Sequence, residues 1–212
     1  MENTQMNVTI DTSFTALVRS VSTEMTNHGF KPRGQAEFIR TLNRLVQRFA
    51  LSVRQSPVEK TAFVEAFVGF NFPDVEELAA SLQGKKPRPG FMTCSLNIGL
   101  LTPESKITDW PLPSDEDVGT LATIVLKMVS EFAVLFWDEF STLEKLATHY
   151  GDGDVLLCRG AEWPWRCAAT YALLGEPTRA VSFLRERLKQ AAGMSAEVVG
   201  SAIEKLSQQK GN

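Results

Sequence analysis

Two histidines and three cysteines in 212 residues leave little material for the commonest metal and nucleophile chemistries. The cysteines, Cys94, Cys158 and Cys167, are odd in number and far apart, with no C-x-x-C pair. That pattern fits a reducing cytosol better than a disulfide framework, and it predicts buried, inert thiols. No histidine pair at i, i+4 and no zinc-ligand spacing occurs. Gly151-Asp152-Gly153-Asp154 resembles the start of a calcium loop but lacks the later oxygen ligands and the closing glutamate. A turn after a helix accounts for it. Phosphate-cradling G-x-x-x-x-G-K-[ST] and G-x-G-x-x-G motifs are absent, as is a G-x-S-x-G elbow. The expectation is no catalytic residue, no metal and no cofactor.

A basic excess is also missing. The net charge is −3 and the pI about 5.5, so nucleic acid is not expected as a partner. No uninterrupted apolar run is long enough for a membrane span. The longest apolar-rich stretch, Val118 to Trp137, is broken by Lys127, Ser130 and Glu131, and reads as a core helix. The polar start MENTQMNVTIDTS lacks the basic and apolar regions of a secretory signal. A cytoplasmic protein without membrane contact is expected. With 43% hydrophobic and 22% charged residues, the composition is that of an ordinary globular chain.

What is present reads as segregated helices and strands. Phe14, Leu17, Val18, Val21 and Met25 recur at helical spacing, with Asp11, Thr12 and Ser13 as N-caps and Gly29 as the stop. Lys31-Pro32-Arg33-Gly34 reads as a turn, and Phe38 to Arg40 as a short strand. Leu45, Phe49, Leu51 and Val53 fall on one parity and Arg48, Ala50, Ser52 and Arg54 on the other, as in a half-buried strand ended by Ser56-Pro57. Thr61 to Phe72 has Phe and Val on both parities, suiting a central strand covered on both faces. Asp74 to Leu82 predicts a short helix, Gln83 to Gly90 (QGKKPRPG) a loop, and Phe91 to Leu101 a strand. Thr102 to Pro113 reads as an irregular connection.

Helices follow. Ser114 with Asp117 forms an expected capping box for a helix through Val118, Leu121, Val125, Phe132 and Leu135, ending near Trp137. Asp115, Glu116 and Asp117 suit its first turn. Ser141 with Glu144 caps the next helix, stopped by Gly151. Pro164 and Gly175 bound another, and Pro177 and Gly193 the one after. Ser195 caps the last. The fold class is α+β: an antiparallel sheet of three to four strands packed with an N-terminal helix and several C-terminal helices. It is read as a single domain over 1–212, with helix plus sheet in 1–113 and a helical part in 114–212.

His28 and His149 each fall in the last turn of an expected helix, where a cation suits the helix dipole. Charge distribution is more informative than total charge. Residues 31–60 hold seven Lys or Arg against two Asp or Glu, a balance of +5. Residues 101–154 hold three against eleven, a balance of −8. Arg48 and Arg54 on one strand face, with Lys85, Lys86 and Arg88 in the loop, are candidates for contact with an acidic partner. The bland alternative is that the two segments neutralise each other or are solvated. Trp110, Trp163 and Trp165 are candidates too, since tryptophan is enriched at binding hot spots, although core anchoring also explains them.

The chain resembles domain-of-unknown-function family 4304. The resemblance rests on Phe14 and Leu17, then His28-Gly29-Phe30-Lys31-x-x-Gly34 and Phe38-x-Arg40. It continues with Gln55-Ser56 ending an aliphatic strand, and a later strand ending in a glycine-containing apolar run. Either Val68-Gly69-Phe70 or Leu96-Asn97-Ile98-Gly99 supplies that run. Leu143 after a capping serine and the alanine-rich helix before Gly175 also match, while the loop at 83–90 departs. The resemblance implies an α+β fold and a bacterial cytosolic setting, and carries no catalytic residues. Together these readings point to a non-catalytic protein-interaction module, an immunity or adaptor protein, with an acidic protein as partner. The alternative is a small-molecule binder or enzyme with an unconventional pocket.

Overall fold

The computed structural model describes residues 2–56, 58–59, 61–114, 116–190 and 195–208. Three expected features, Pro57 as a strand end, Asp115 in a helix start and Gly193 as a helix stop, lie outside the described residues. The fold is α+β, with an antiparallel sheet and an N-terminal helix. The chain divides into two compact units. The first takes the chain up to Leu42, then Val46–Gly69 and Ser95–Asp138; the second takes Asn43–Leu45, Phe70–Cys94 and the chain from Glu139 onward.

The first unit is built on the sheet. Helix α1 (Glu2–Asn27) begins well before the expected caps at residues 11–13. No proline or glycine interrupts residues 2–13, so nothing local stops the helix there. Its Leu17, Val21 and Met25 are fully buried, as their spacing requires. The expected turn at 31–33 is instead strand β1 (Lys31–Arg33), antiparallel to β2 (Glu37–Leu42) with Pro32 opposite Phe38. Pro32 is tolerated because β1 is the edge strand. Strands β3 (Leu45–Ser56) and β4 (Thr61–Asn71) follow, and β5 (Cys94–Asn97) completes the order β1-β2-β3-β4-β5.

In β3 Leu45, Gln47, Phe49 and Leu51 are buried on the expected parity, but Ala50 is buried as well and Val53 is only half-buried. Gln47 is a polar residue on that buried face, and Arg40 Nε donates to its Oε1 at 2.7 Å. In β4 Ala62, Val64, Ala66 and Val68 are buried while Thr61, Phe63, Glu65 and Phe67 are half-buried, and both parities are buried only at Val68, Gly69 and Phe70. The expectation of two covered faces therefore holds only at the end of the strand and is corrected for the rest. Glu65 occupies the open side, where it accepts from Ser52.

The expected strand over 91–101 shrinks to β5 and gives way to a 3-10 turn at Ile98–Leu101. Asn97 Oδ1 accepts from Gly99 N at 2.9 Å and Thr108 N at 3.0 Å, turning the backbone out of the ladder. The connection expected to be irregular contains β6 (Asp109–Pro111), which pairs with β4 through Val64 opposite Trp110. Among the described residues the sheet thus has six strands rather than three to four.

Helix α3 (Val118–Met128) continues through a π-helical turn, Val129–Ala133, into α4 (Val134–Glu139). Ser114 and Asp117 do not form the expected capping box. Ser114 Oγ donates to the Asp117 carboxylate, and Asp117 makes no side-chain cap. By length and composition, the 22-residue stretch Val118–Glu139 is long and apolar enough to cross a membrane, and about a third of it is buried. Its buried side includes Leu121, Val125, Val129 and Trp137. Trp137 Nε1 donates to Gly69 O at 2.9 Å, and its ring meets Phe30 at 4.9 Å.

The second unit is helical. It contains α2 (Pro73–Leu82), α5 (Leu143–Gly151), α6 (Trp163–Leu173), α7 (Pro177–Gln190) and α8 (Ala196–Gln208). Thr142 rather than Ser141 caps α5, accepting from Lys145 N. The residue that turns the chain after α5 is Gly153, at φ +73°, not Gly151. α6 packs on α2, α5 and α7, and α8 packs on α2 and α7. Buried Ala79, Ala168, Ala169, Ala180 and Ala202 let these helices approach closely. Lys205 Nζ of α8 donates to Ser81 O at the end of α2, a favourable place for a cation.

Candidate binding cleft

A small cleft of about 40 Å³, partly open to solvent, lies in the second unit between α2, α6 and the loop 83–93. The end of α2 sets its mouth. Gly84 adopts φ +68°, Gly84 N donates to Ser81 O and Lys85 N to Ala80 O. This glycine-terminated cap reverses the chain, turning the Lys85 amine toward α6. The prolines at 87 and 89 keep the loop extended.

The floor is an ion pair between α2 and α6. Arg166 is 7% exposed. Its Nη2 donates to Glu76 Oε2 at 3.2 Å and Met92 O at 3.3 Å, and its Nη1 to Thr93 O at 3.2 Å. Its Nε lies 2.8 Å from Glu76 Oε1 without the alignment of a hydrogen bond. Thr93 Oγ1 donates to that same oxygen at 2.9 Å. Burial pushes the Glu76 carboxyl above its ordinary range, against the opposing pull of Arg166 and Thr93. Desolvation therefore outweighs the pairing. The guanidinium is largely spent on carbonyls and a carboxylate, so it fixes the loop's far end.

Above the floor, Gln83 Nε2 donates to Glu162 Oε2 at 2.5 Å, and Lys85 Nζ lies 3.5 Å from Glu162 Oε1. Phe91 is 40% exposed, with the guanidinium carbons of Arg166 and Arg88 at 5.1 and 5.9 Å from its ring centre. Lys86 and Arg88 also line the cleft, and neither has an acidic partner among the described residues.

The structure gathers Lys85, Lys86 and Arg88 here, but not the other candidates. In the first unit, Arg48 Nε pairs with Glu37 at 2.5 Å. Arg54 pairs with Asp109 at 2.6 Å and covers the Phe63 ring at 5.2 Å. The Arg54 pair joins the basic and acidic segments. Trp110 is half-buried on β6. In the second unit Trp165 is buried, and Trp163 is half-buried between Tyr150 and Arg187, whose guanidinium lies 4.2 Å from its ring centre.

Glu76, Gln83, Phe91, Glu162 and Arg166 were not among the expected site residues. Only Arg166 carries a visible signal, a lone charge inside the apolar run WPWRCAAT, where a buried ion requires a partner.

The remaining reactive groups are held in local structure. His149 bridges Asp154 at 2.7 Å and Glu139 at 2.9 Å, and His28 lies 3.5 Å from Glu24. Asp154 also accepts from Leu156 N. Burial pushes the Cys94 and Cys167 thiols up to about 12, so neither is a thiolate at neutral pH. The three cysteines are unpaired. No family model, curated protein or solved structure matches the chain.

Proposed function

We propose that the protein is a non-catalytic interaction module that holds an acidic segment of another protein at this cleft, as an immunity or adaptor protein would. One observation carries the reading: among the described residues Lys86 and Arg88 have no acidic partner, and they stand beside the part-exposed ring of Phe91. Cations of this kind steer an acidic partner and select its orientation, while an aromatic ring supplies contact area that charges alone do not. Arg48 and Arg54 are left out, because Glu37 and Asp109 already neutralise them. The unpaired cysteines support a reducing, cytoplasmic setting.

The test is fluorescence anisotropy with a labelled hexaglutamate peptide. Binding is expected at low salt and weakens as salt rises. The double charge reversal Lys86→Glu, Arg88→Glu is expected to cost at least about tenfold in affinity, or about 1.4 kcal/mol. Its thermal midpoint should stay that of the parent. Equal binding by parent and variant would overturn the reading.

A further inference from the structure

Glu162 is the residue preceding the first turn of α6; Pro164 at the second helical position has no N–H and the Trp165 N–H is given to Glu162 O, so the helix start offers the side chain no donor for a cap. Glu162 makes no such cap. Its carboxylate lies in the cleft instead, read at both oxygens by Gln83 and Lys85. Those two donors are themselves braced, since Lys85 Nζ donates to Gln83 Oε1 at 2.6 Å and Gln83 Nε2 also reaches Ala79 O. The end of α2 has therefore built a seat for a carboxylate, with one donor per oxygen. Glu162 keeps a third of its side-chain surface exposed, so little besides those donors retains it.

Resting on the reading that this cleft takes an acidic partner, we infer that Glu162 is an internal competitor: it occupies the seat of the partner's carboxylate and yields it when the partner arrives. The exchange leaves the number of negative charges at the seat unchanged. That matters because Glu76 is nearby and its charge is already penalised by burial. The donor pattern also defines the ligand group as a carboxylate on a flexible side chain, chemically equivalent to Glu162 itself.

Hexaglutamate anisotropy on the full chain tests this with two variants. Glu162→Asp keeps the charge, but its shorter side chain does not reach Gln83. It is expected to bind the peptide roughly three- to tenfold more tightly than the parent, the range for losing one competing hydrogen bond. Glu162→Gln should tighten binding as well. If Glu162→Gln alone tightens binding, Glu162 acts only through its field and the inference is overturned. It is equally overturned if neither variant changes the affinity while the parent binds through Lys86 and Arg88. In both cases the cleft reading survives. If hexaglutamate binds neither the parent nor any variant, the cleft reading falls and the inference falls with it.

Discussion

Arg166 and Glu76 set different penalties for their own removal. Breaking a buried pair by deleting one partner costs about 3–5 kcal/mol, because the other charge is stranded. An arginine cannot shed its proton, whereas a carboxyl already pushed upward can gain one. Glu76→Gln is therefore expected to be destabilising at every pH between 5 and 7, by roughly that amount. Arg166→Met should be as costly at pH 7 and recover on acidification. The sign follows from proton counts: the folded variant binds a proton to Glu76 at a pH where the unfolded chain has lost it, so stability falls as pH rises through the folded value. Urea titrations at pH 7 and pH 5 compare the two. A penalty for Arg166→Met that does not shrink at pH 5 would contradict this account.

Among the elements, the turn after β5 is the most constrained. A β-carbon on Gly99 would collide with the Thr108 side chain and the Lys106 carbonyl. The second of these is backbone and cannot swing aside. Gly99→Ala is expected to cost about 1–3 kcal/mol, the usual range for overpacking. A parent-like denaturation midpoint would show that the 98–108 turn is loose. This turn also marks where sequence reading stops working. Helix ends such as Gly29, Pro164, Pro177 and Ser195 were legible because each signal acts within a few residues. The end of β5 was not, because Asn97 breaks the strand by binding Thr108 N, eleven positions away. The same division runs through the cleft. Its cations were legible as a charged loop, but Glu76 and Glu162 look like ordinary first-turn acids until the fold sets them opposite Arg166 and Gln83.

For the whole molecule, a net charge of −3 conceals both local neutralisation, as at Arg54 and Asp109, and local excess, as at the cleft mouth. Each compact unit is assembled from separated stretches of chain, so truncation tests whether the cleft depends on distant sequence. The loop offers trypsin one ready bond, Lys85–Lys86, since prolines follow Lys86 and Arg88. Within the full chain that bond is expected to resist, because Lys85 is tied to Glu162 and the loop's far end to Arg166. A chain cut after Asp138 loses both ties and should be cleaved there rapidly. Equal cleavage rates would mean that these ties do not hold the loop.

The dispersed make-up of the second unit also imposes an order of events at the ribosome. Helix α2 ends at residue 82 and α6 begins at residue 163. At roughly 5–20 residues per second, about 4–16 s separate the emergence of the two. Throughout that interval Val75, Ala79 and Leu82, all buried in the finished protein, have no α6 or α8 to cover them. The apolar stretch Val118–Glu139 emerges in the same window, but α1, on which its α3 part packs, is already out. The nascent chain thus presents the apolar side of α2 before its shelter exists, which makes it a natural client for a holding chaperone.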